Sequence, residues 1–413
     1  MKGNRWKRMG ILFCVALLVC GVTGCGTEVE ENKDFNLTKI EIDLPPFMPK
    51  MDASKDIEAL EITRGPIINE TTFPEELLRK KAQEADLNED GRLSREEAKT
   101  VTKLHLKKLA DADAKDAMED EPLPEYKVTD FVFDLEGIQY FTELSELTVN
   151  LLGGEAFVEG GTEEELHVTT KNFNRLYACK ILKKLSLYEI DIPSLELSEF
   201  PNLKRLELNF MYNLDTVNTG THGNLSALWI SECHKLETVD LSGMENIKTV
   251  DIVRNDSLKN VTFGEANGKL ENIQLNGLKR LTEFDISGLE NLKSLNLTEV
   301  GLTDLDVREN TGLEQFCAEG LQLDTLDLSN NPNVTYVIND KDSFRTILLP
   351  KENRIDMIRW TNSKVTEFPV ENLNPETLTG IDIQGTAIKE LDVSGYPKLE
   401  YLYYDEDVTK IKR

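Results

Sequence analysis

An apolar residue at positions i, i+3 and i+5 recurs along most of this 413-residue chain. Leu182-Leu185-Leu187, Leu203-Leu206-Leu208, Leu292-Leu295-Leu297 and Leu399-Leu402-Tyr404 are examples, and successive starts lie mostly 10 or 11 residues apart. Positions i+3 and i+5 of each unit fall on one side of a short strand. A single unit cannot bury that side alone. Stacking does it: two units make a coil of about 21 residues, and stacked coils share one continuous core with strands paired in parallel. The fold class is therefore a repeat solenoid of about eleven coils, because chance does not hold such a register for so long.

The unit Leu313-Glu314-Gln315-Phe316 through Leu323-Asp324-Thr325-Leu326-Asp327-Leu328 resembles the 21-residue bacterial leucine-rich repeat, L-x-x-L-x-L-x-x-N-x-L-x-x-L-D-L. Leu321 and Cys233 stand where that pattern usually has Asn. The second half-unit carries a row of acids, Asp240, Asp285, Asp306, Asp327 and Asp392, each between two inward apolar residues. They face solvent, where they belong either to the repeat pattern or to a site for cations or a basic partner. In the first half-unit the equivalent outward place holds Ser186, Glu207, Trp229, Asp251, Gln274, Asn296, Cys317, Arg359, Asp382 and Tyr403. With Tyr188, Tyr336 and Tyr401 they form a polar and aromatic surface suited to recognising protein or glycan. The candidate ligand-binding residues are Tyr188, Trp229, Tyr336, Arg359, Tyr401 and Tyr403.

The formal charge of −28 repels nucleic acid and anionic lipid headgroups, so neither is an expected partner of the folded part. The N-terminus carries a different signal. Lys2, Arg5, Lys7 and Arg8 precede the apolar run Ile11–Cys20, which is too short to span a bilayer and reads as a signal peptide. Val22-Thr23-Gly24-Cys25 then resembles a bacterial lipobox, which makes Cys25 the lipidation site. A diacylated cysteine suffices for stable anchoring. The expected location is the outer face of the plasma membrane, or the outer membrane in a Gram-negative source. Cys179, Cys233 and Cys317 are scattered and odd in number, so no structural disulfide is expected.

Asp86-Leu87-Asn88-Glu89-Asp90-Gly91-Arg92-Leu93-Ser94-Arg95-Glu96-Glu97 fits the EF-hand calcium loop at each diagnostic position. Asp86, Asn88 and Asp90 supply side-chain oxygens, Arg92 its carbonyl, Ser94 a direct or water-mediated oxygen, and Glu97 a bidentate carboxylate. Gly91 permits the sharp turn. Calcium is thus the expected cofactor, fixing a helical module as an N-terminal cap. The loop is followed by Asp134-Leu135-Glu136-Gly137-Ile138-Gln139-Tyr140-Phe141-Thr142-Glu143-Leu144. This order resembles surface leucine-rich-repeat proteins of Firmicutes and, loosely, internalins. The resemblance covers roughly residues 73–413 and implies extracellular recognition without fixing a ligand.

The resulting plan is a signal peptide over 1–24, an acidic tether over 25–72, the calcium module over 73–110, an acidic loop over 111–127 and the solenoid over 128–413. A Gly- and Glu-rich insertion interrupts the solenoid at 150–181. His105, His167, His222 and His234 show no metal spacing, and there is no Walker loop, G-x-S-x-G or H-E-x-x-H, so no enzyme is expected. The expected function is a monomeric, membrane-anchored binding scaffold for an extracellular protein or glycan. Two alternatives stay open: an envelope spacer without a discrete ligand, and a carbohydrate-active enzyme built on the insertion.

Overall fold

The computed structural model describes residues 64–107, 131–151, 168–220, 222–406 and 409–413. Cys25, most of the tether and the acidic loop 111–127 lie outside the described residues, as does 152–167 of the insertion. Among the described residues the first half-units build one thirteen-stranded, all-parallel sheet whose strands follow chain order. Its strands are Lys103–Lys107, Glu146–Asn150, Lys184–Tyr188, Arg205–Asn209, Ala227–Ser231, Thr249–Val253 and Asn272–Asn276. Ser294–Thr298, Gln315–Glu319, Tyr336–Asp340, Met357–Thr361, Gly380–Asp382 and Tyr401–Tyr403 complete it. From Lys184 onward the strands recur every 21 to 23 residues. The chain is a leucine-rich-repeat solenoid.

The register explains the triplets. Leu185 lies beside Leu206, which lies beside Leu228, then Val250, Ile273, Leu295 and Phe316, all with no exposed surface or nearly none. Each inward residue is covered by its equivalent in the coil before and the coil after, so burial is complete only inside a stack. The sheet also starts earlier than Val128, where the sequence reading placed the solenoid. Lys103–Lys107 is its first strand, with Leu104 against Leu147 and Leu106 against Val149. These residues leave the N-terminal helical module directly, and their alternation joins it to the array.

The second half-units behave differently from expectation. Among the described residues five pairs of short strands form, such as Thr238–Asp240 with Asn260–Thr262 and Thr325–Asp327 with Thr346–Leu348, and no continuous second sheet. Leu281-Phe284-Ile286 and Leu302-Leu305-Val307 form no strand. The acids of this half-unit explain why the extended stretches end. Asp240 accepts the Ser242 N–H at 2.9 Å, Asp285 that of Ser287 at 2.9 Å, Asp306 that of Arg308 at 3.0 Å, Asp327 that of Ser329 at 2.9 Å and Asp392 that of Ser394 at 3.0 Å. Each closes an Asx turn that steers the chain round the corner. Salt links add to it: the Arg308 guanidinium holds the Asp306 carboxyl down to about 2. The acid row is turn chemistry.

A feature the sequence reading missed follows the large sheet. The residue after each of nine successive strands has a positive φ (Glu189, Phe210, Glu232, Arg254, Gly277, Glu299, Gly320, Lys341 and Asn362), and Gly385 has one three residues past the end of the next strand. Seven of them are not glycine, at about 1–2 kcal/mol each for the left-handed conformation. The return is a hydrogen-bond ladder, since this N–H donates to the next coil. Phe210 N reaches Ser231 O at 3.0 Å, Glu232 N reaches Val253 O at 3.0 Å and Arg254 N reaches Asn276 O at 2.7 Å. Buried asparagines brace the opposite corner: Asn310 Nδ2 donates to the Ile286 and Leu289 carbonyls, and Asn331 Nδ2 to those of Val307 and Asn310.

Ahead of the sheet lie two α-helices among the described residues, α1 (Glu76–Ala85) and α2 (Arg95–Thr100). Residues 64–72, read as the end of the tether, belong to this module. Ile67 bridges Arg92, Leu93 N donates to Pro66 O at 2.9 Å, and Arg92 Nη1 donates to Gly65 O at 3.0 Å. Phe73 seats the module on the first coil, 5.8 Å from the Tyr140 ring and 6.3 Å from the Phe141 ring. Gly137 makes this possible. Its φ is +103°, and a Cβ there would lie 2.3 Å from Phe73 Cδ1, which is why the Asp134–Leu144 segment needs glycine at that point.

Candidate functional site

The calcium-loop residues stand on the connection between α1 and α2. Gly91, at φ +74°, and Glu89, at φ 57°, turn the backbone so that its N–H groups face inward. Asp86 Oδ1 accepts Asp90 N at 3.2 Å and Oδ2 accepts Gly91 N at 2.9 Å; Asn88 Oδ1 accepts Asp90 N at 2.9 Å; Asp90 Oδ1 accepts Arg92 N at 2.9 Å. Ser94 and Glu97 form a capping box at the start of α2. Glu97 Oε1 also reaches back across the loop to the N–H groups of Leu87 and Asn88 at 3.1 and 3.4 Å. Burial opposes charge on Glu97, but these amide and Ser94 bonds outweigh it and hold the carboxyl below the usual carboxylate range. The donor set is all oxygen, which suits a hard cation. Its carboxylates are here engaged by backbone amides, and no three acidic or nitrogen ligands are gathered among the described residues.

The larger surface is the outer face of the thirteen-stranded sheet, where positions one, three and five of each strand point away from the core. The strand register places Glu207, Trp229, Asp251, Gln274, Asn296, Cys317, Ile338, Arg359 and Asp382 in one middle row. Ile338 was not singled out from the sequence, although it fills the gap in the row. The candidate ligand residues do not converge. Tyr188 and Trp229 sit two strands apart, whereas Tyr336 is five strands beyond Trp229, ~24 Å at ~4.8 Å per strand. Arg359, Tyr401 and Tyr403 lie with Tyr336 toward the C-terminal end.

The two groups differ in setting. Trp229 is half-buried, with the Arg205 guanidinium 4.7 Å from its ring centroid. Glu207 is held alongside by Ser186 Oγ at 2.6 Å and Lys184 Nζ at 3.2 Å. In the second group Tyr336 donates its hydroxyl to Asp356 Oδ2 at 3.4 Å, and Arg359 Nε lies 3.6 Å from Asp382 Oδ2. Tyr401 and Tyr403 are 50% and 54% exposed on the last strand. Between the groups the outward positions are short and mostly uncharged, including Thr249, Asn272, Ser294, Thr298 and Gln315. The acids there are Glu319, at the far edge, and Asp251. Burial pushes the Asp251 carboxyl up to about 6, and its buried Oδ1 has no hydrogen-bond partner.

Elsewhere an open groove of about 1120 Å³ runs along the half-units behind the sheet, between Thr346–Glu352 and Thr366–Asn372. Its acids, Glu352 and Glu367, stand among Arg345, Lys351, Phe368 and three prolines. Cys179 and Cys233 are buried thiols pushed up to about 12, with Cys233 Sγ 3.4 Å from the Ser231 carbonyl. They line the core, and Cys317 faces outward from the sheet.

No protein-family model and no curated protein sequence matches the chain. Solved structures do match its fold. An internalin, InlF of Listeria monocytogenes, is similar over 84% of this chain and 93% of its own, at 16% identity and a TM-score of 0.55. The functional domain of InlJ from the same organism, described as including a cysteine ladder, is similar over 85% of this chain and 78% of its own, at 16% identity and a TM-score of 0.43. The likeness is one of fold: a parallel leucine-rich-repeat solenoid.

Proposed function

We propose that this protein is an extracellular binding scaffold that recognises a protein or glycan through the outer face of its sheet. It would be tethered by a lipid on Cys25, with calcium stiffening the N-terminal module. The observation that supports the reading is the outer face itself. It spans thirteen strands and presents parallel rows of outward side chains, three wide over most of its length. Substitution there changes recognition while leaving the fold alone, which is what a binding surface requires. In the loop, Asp86, Asn88, Asp90, the Arg92 carbonyl, Ser94 and Glu97 would hold the cation. Calcium, when bound, supplies positive charge that neutralises these acids at the joint between α1 and α2.

The test is affinity capture with the full chain against surface proteins and a glycan array, comparing Trp229→Ala and Tyr336→Ala with Arg345→Ala behind the sheet. Loss of a partner with either front variant and retention with Arg345→Ala is the expected result. Equal capture by all three would place the function off this face. A Cys25→Ala chain released from membranes, against retention of the parent, checks the tether.

A further inference from the structure

The uncharged stretch of the outer face, bounded on one side by Trp229, has a composition that the rest of the molecule does not share. Charged residues make up 30% of the chain, and its net charge is −28. Yet across the five strands from Ala227 to Glu319 the outward charges are Asp251 and, at the far edge, Glu319. Side-chain amides and hydroxyls fill most of the remaining places. An acidic protein that leaves so broad a strip of sheet neutral has removed there the long-range attraction that a basic partner would use.

Resting on the binding-face reading above, we propose that this strip, from Trp229 to Gln315, is a site for an uncharged oligosaccharide lying across the strands. Three features carry it. Trp229 offers a flat apolar ring; Arg205, from the preceding strand, covers one face, which leaves the opposite face toward the Thr249–Val253 strand. Next in register comes Asp251, half-buried, whose carboxyl lies in the row beside the ring with its Oδ1 buried and without a hydrogen-bond partner. Beyond it Gln274 and Asn296 continue the same row, flanked by Asn272 and Asn276. Each amide carries both donors and an acceptor, as each sugar hydroxyl does. A hydroxyl-rich, chargeless ligand can both donate to and accept from these amides.

Spacing favours the same class. Strands repeat at ~4.8 Å, about the length of one hexose in a linear chain, so successive rings would meet successive coils. An extended peptide repeats its side-chain direction every two residues, ~6.7 Å, and falls out of step with the coils within a few residues. The sugar contacts therefore add from coil to coil, and affinity should rise with chain length.

The experiment titrates the full chain with di- to hexasaccharides of β-linked glucose, β-linked N-acetylglucosamine and α-linked mannose. A hyaluronan hexamer serves as charged control and a displayed peptide library as a separate arm. Trp360 is fully buried and Trp6 lies in the leader, so fluorescence changes on binding report Trp229. One neutral series should bind, more tightly with each added ring and with little dependence on salt. Trp229→Ala should weaken it by ~10-fold or more and Gln274→Ala with Asn296→Ala by a similar factor, with melting unchanged because these side chains point outward. Failure of every neutral series at millimolar concentration, or binding that survives Trp229→Ala, overturns the proposal. If peptides instead bind in a Trp229-dependent way, the oligosaccharide assignment falls and the binding face stands. If neither arm depends on Trp229, both fall.

Discussion

Asp342 shows how much a single atom can matter inside a repeat. Asn255, at the corresponding place of an earlier coil, accepts Cys233 N with Oδ1 at 2.8 Å and donates Nδ2 to the Ile230 and Val253 carbonyls. Asp342 keeps the first bond, accepting Leu321 N at 2.6 Å, but its Oδ2 has no partner and the residue is 2% exposed. A carboxylate cannot donate; a carboxylic acid can. Burial, with Asp340 and Glu319 nearby, pushes this carboxyl up to about 7 from an ordinary 3.8. Lys341 is engaged with those two acids, at 2.6 Å from Glu319 and 3.6 Å from Asp340. The folded chain thus keeps a proton that the unfolded chain releases between pH ~4 and ~7. The stability this proton contributes is complete at the acid end and is lost as pH rises to ~7, by up to ~1.4 kcal/mol per unit. Denaturant midpoints measured at pH 4.5 and 7.5 should fall more for the parent than for Asp342→Asn, which restores the donor. An identical pH slope in the two proteins would refute the role.

At the scale of elements, the N-terminal helical module separates helix capping from the proposed cation binding, two contributions that the loop sequence superimposes. Ser94 and Glu97 cap α2 with no cation present, because Ser94 Oγ accepts Glu97 N and Glu97 Oε2 accepts Ser94 N. Asp86 has no part in that cap. Ser94→Ala should therefore cost about 1 kcal/mol in chelator, where only the cap is lost, and more in calcium, where a proposed ligand is lost as well. Asp86→Ala should abolish any calcium-dependent rise in melting temperature. A parent protein that melts identically in calcium and in chelator would remove the cation from the account of this module. The sequence made the loop legible because its spacing is set by residues adjacent in the chain. It did not show that residues 64–72 brace the loop, since the bridge from Ile67 to Arg92 joins positions with no shared pattern. Nor did it mark the left-handed residue after each strand: Phe210 and Arg254 adopt that conformation for the ladder they complete, against their own preference.

The whole molecule is a stack in which burial depends on neighbours. Leu228 lies between Leu206 and Val250 and has no exposed surface, whereas Leu402, on the last strand, is covered by Ile381 and stays half-buried. Leu228→Ala should cost about 2–5 kcal/mol and Leu402→Ala clearly less, read as denaturant midpoints. Equal losses would mean that the chain does not gain its stability coil by coil. The sequence by itself determined the repeat, its period, the inward leucines and the outward rows, because each follows from alternation along a strand and from the need to cover an apolar side. It also placed the acids of the second half-unit, though only the structure shows each closing a turn on the N–H two residues ahead. What only the tertiary structure decided is where the sheet begins, that the second half-units pair in twos, and how the outward residues are grouped. Register across coils is set by contacts between residues some twenty positions apart, and those contacts put Trp229 and Tyr336 five strands from each other with a neutral strip between.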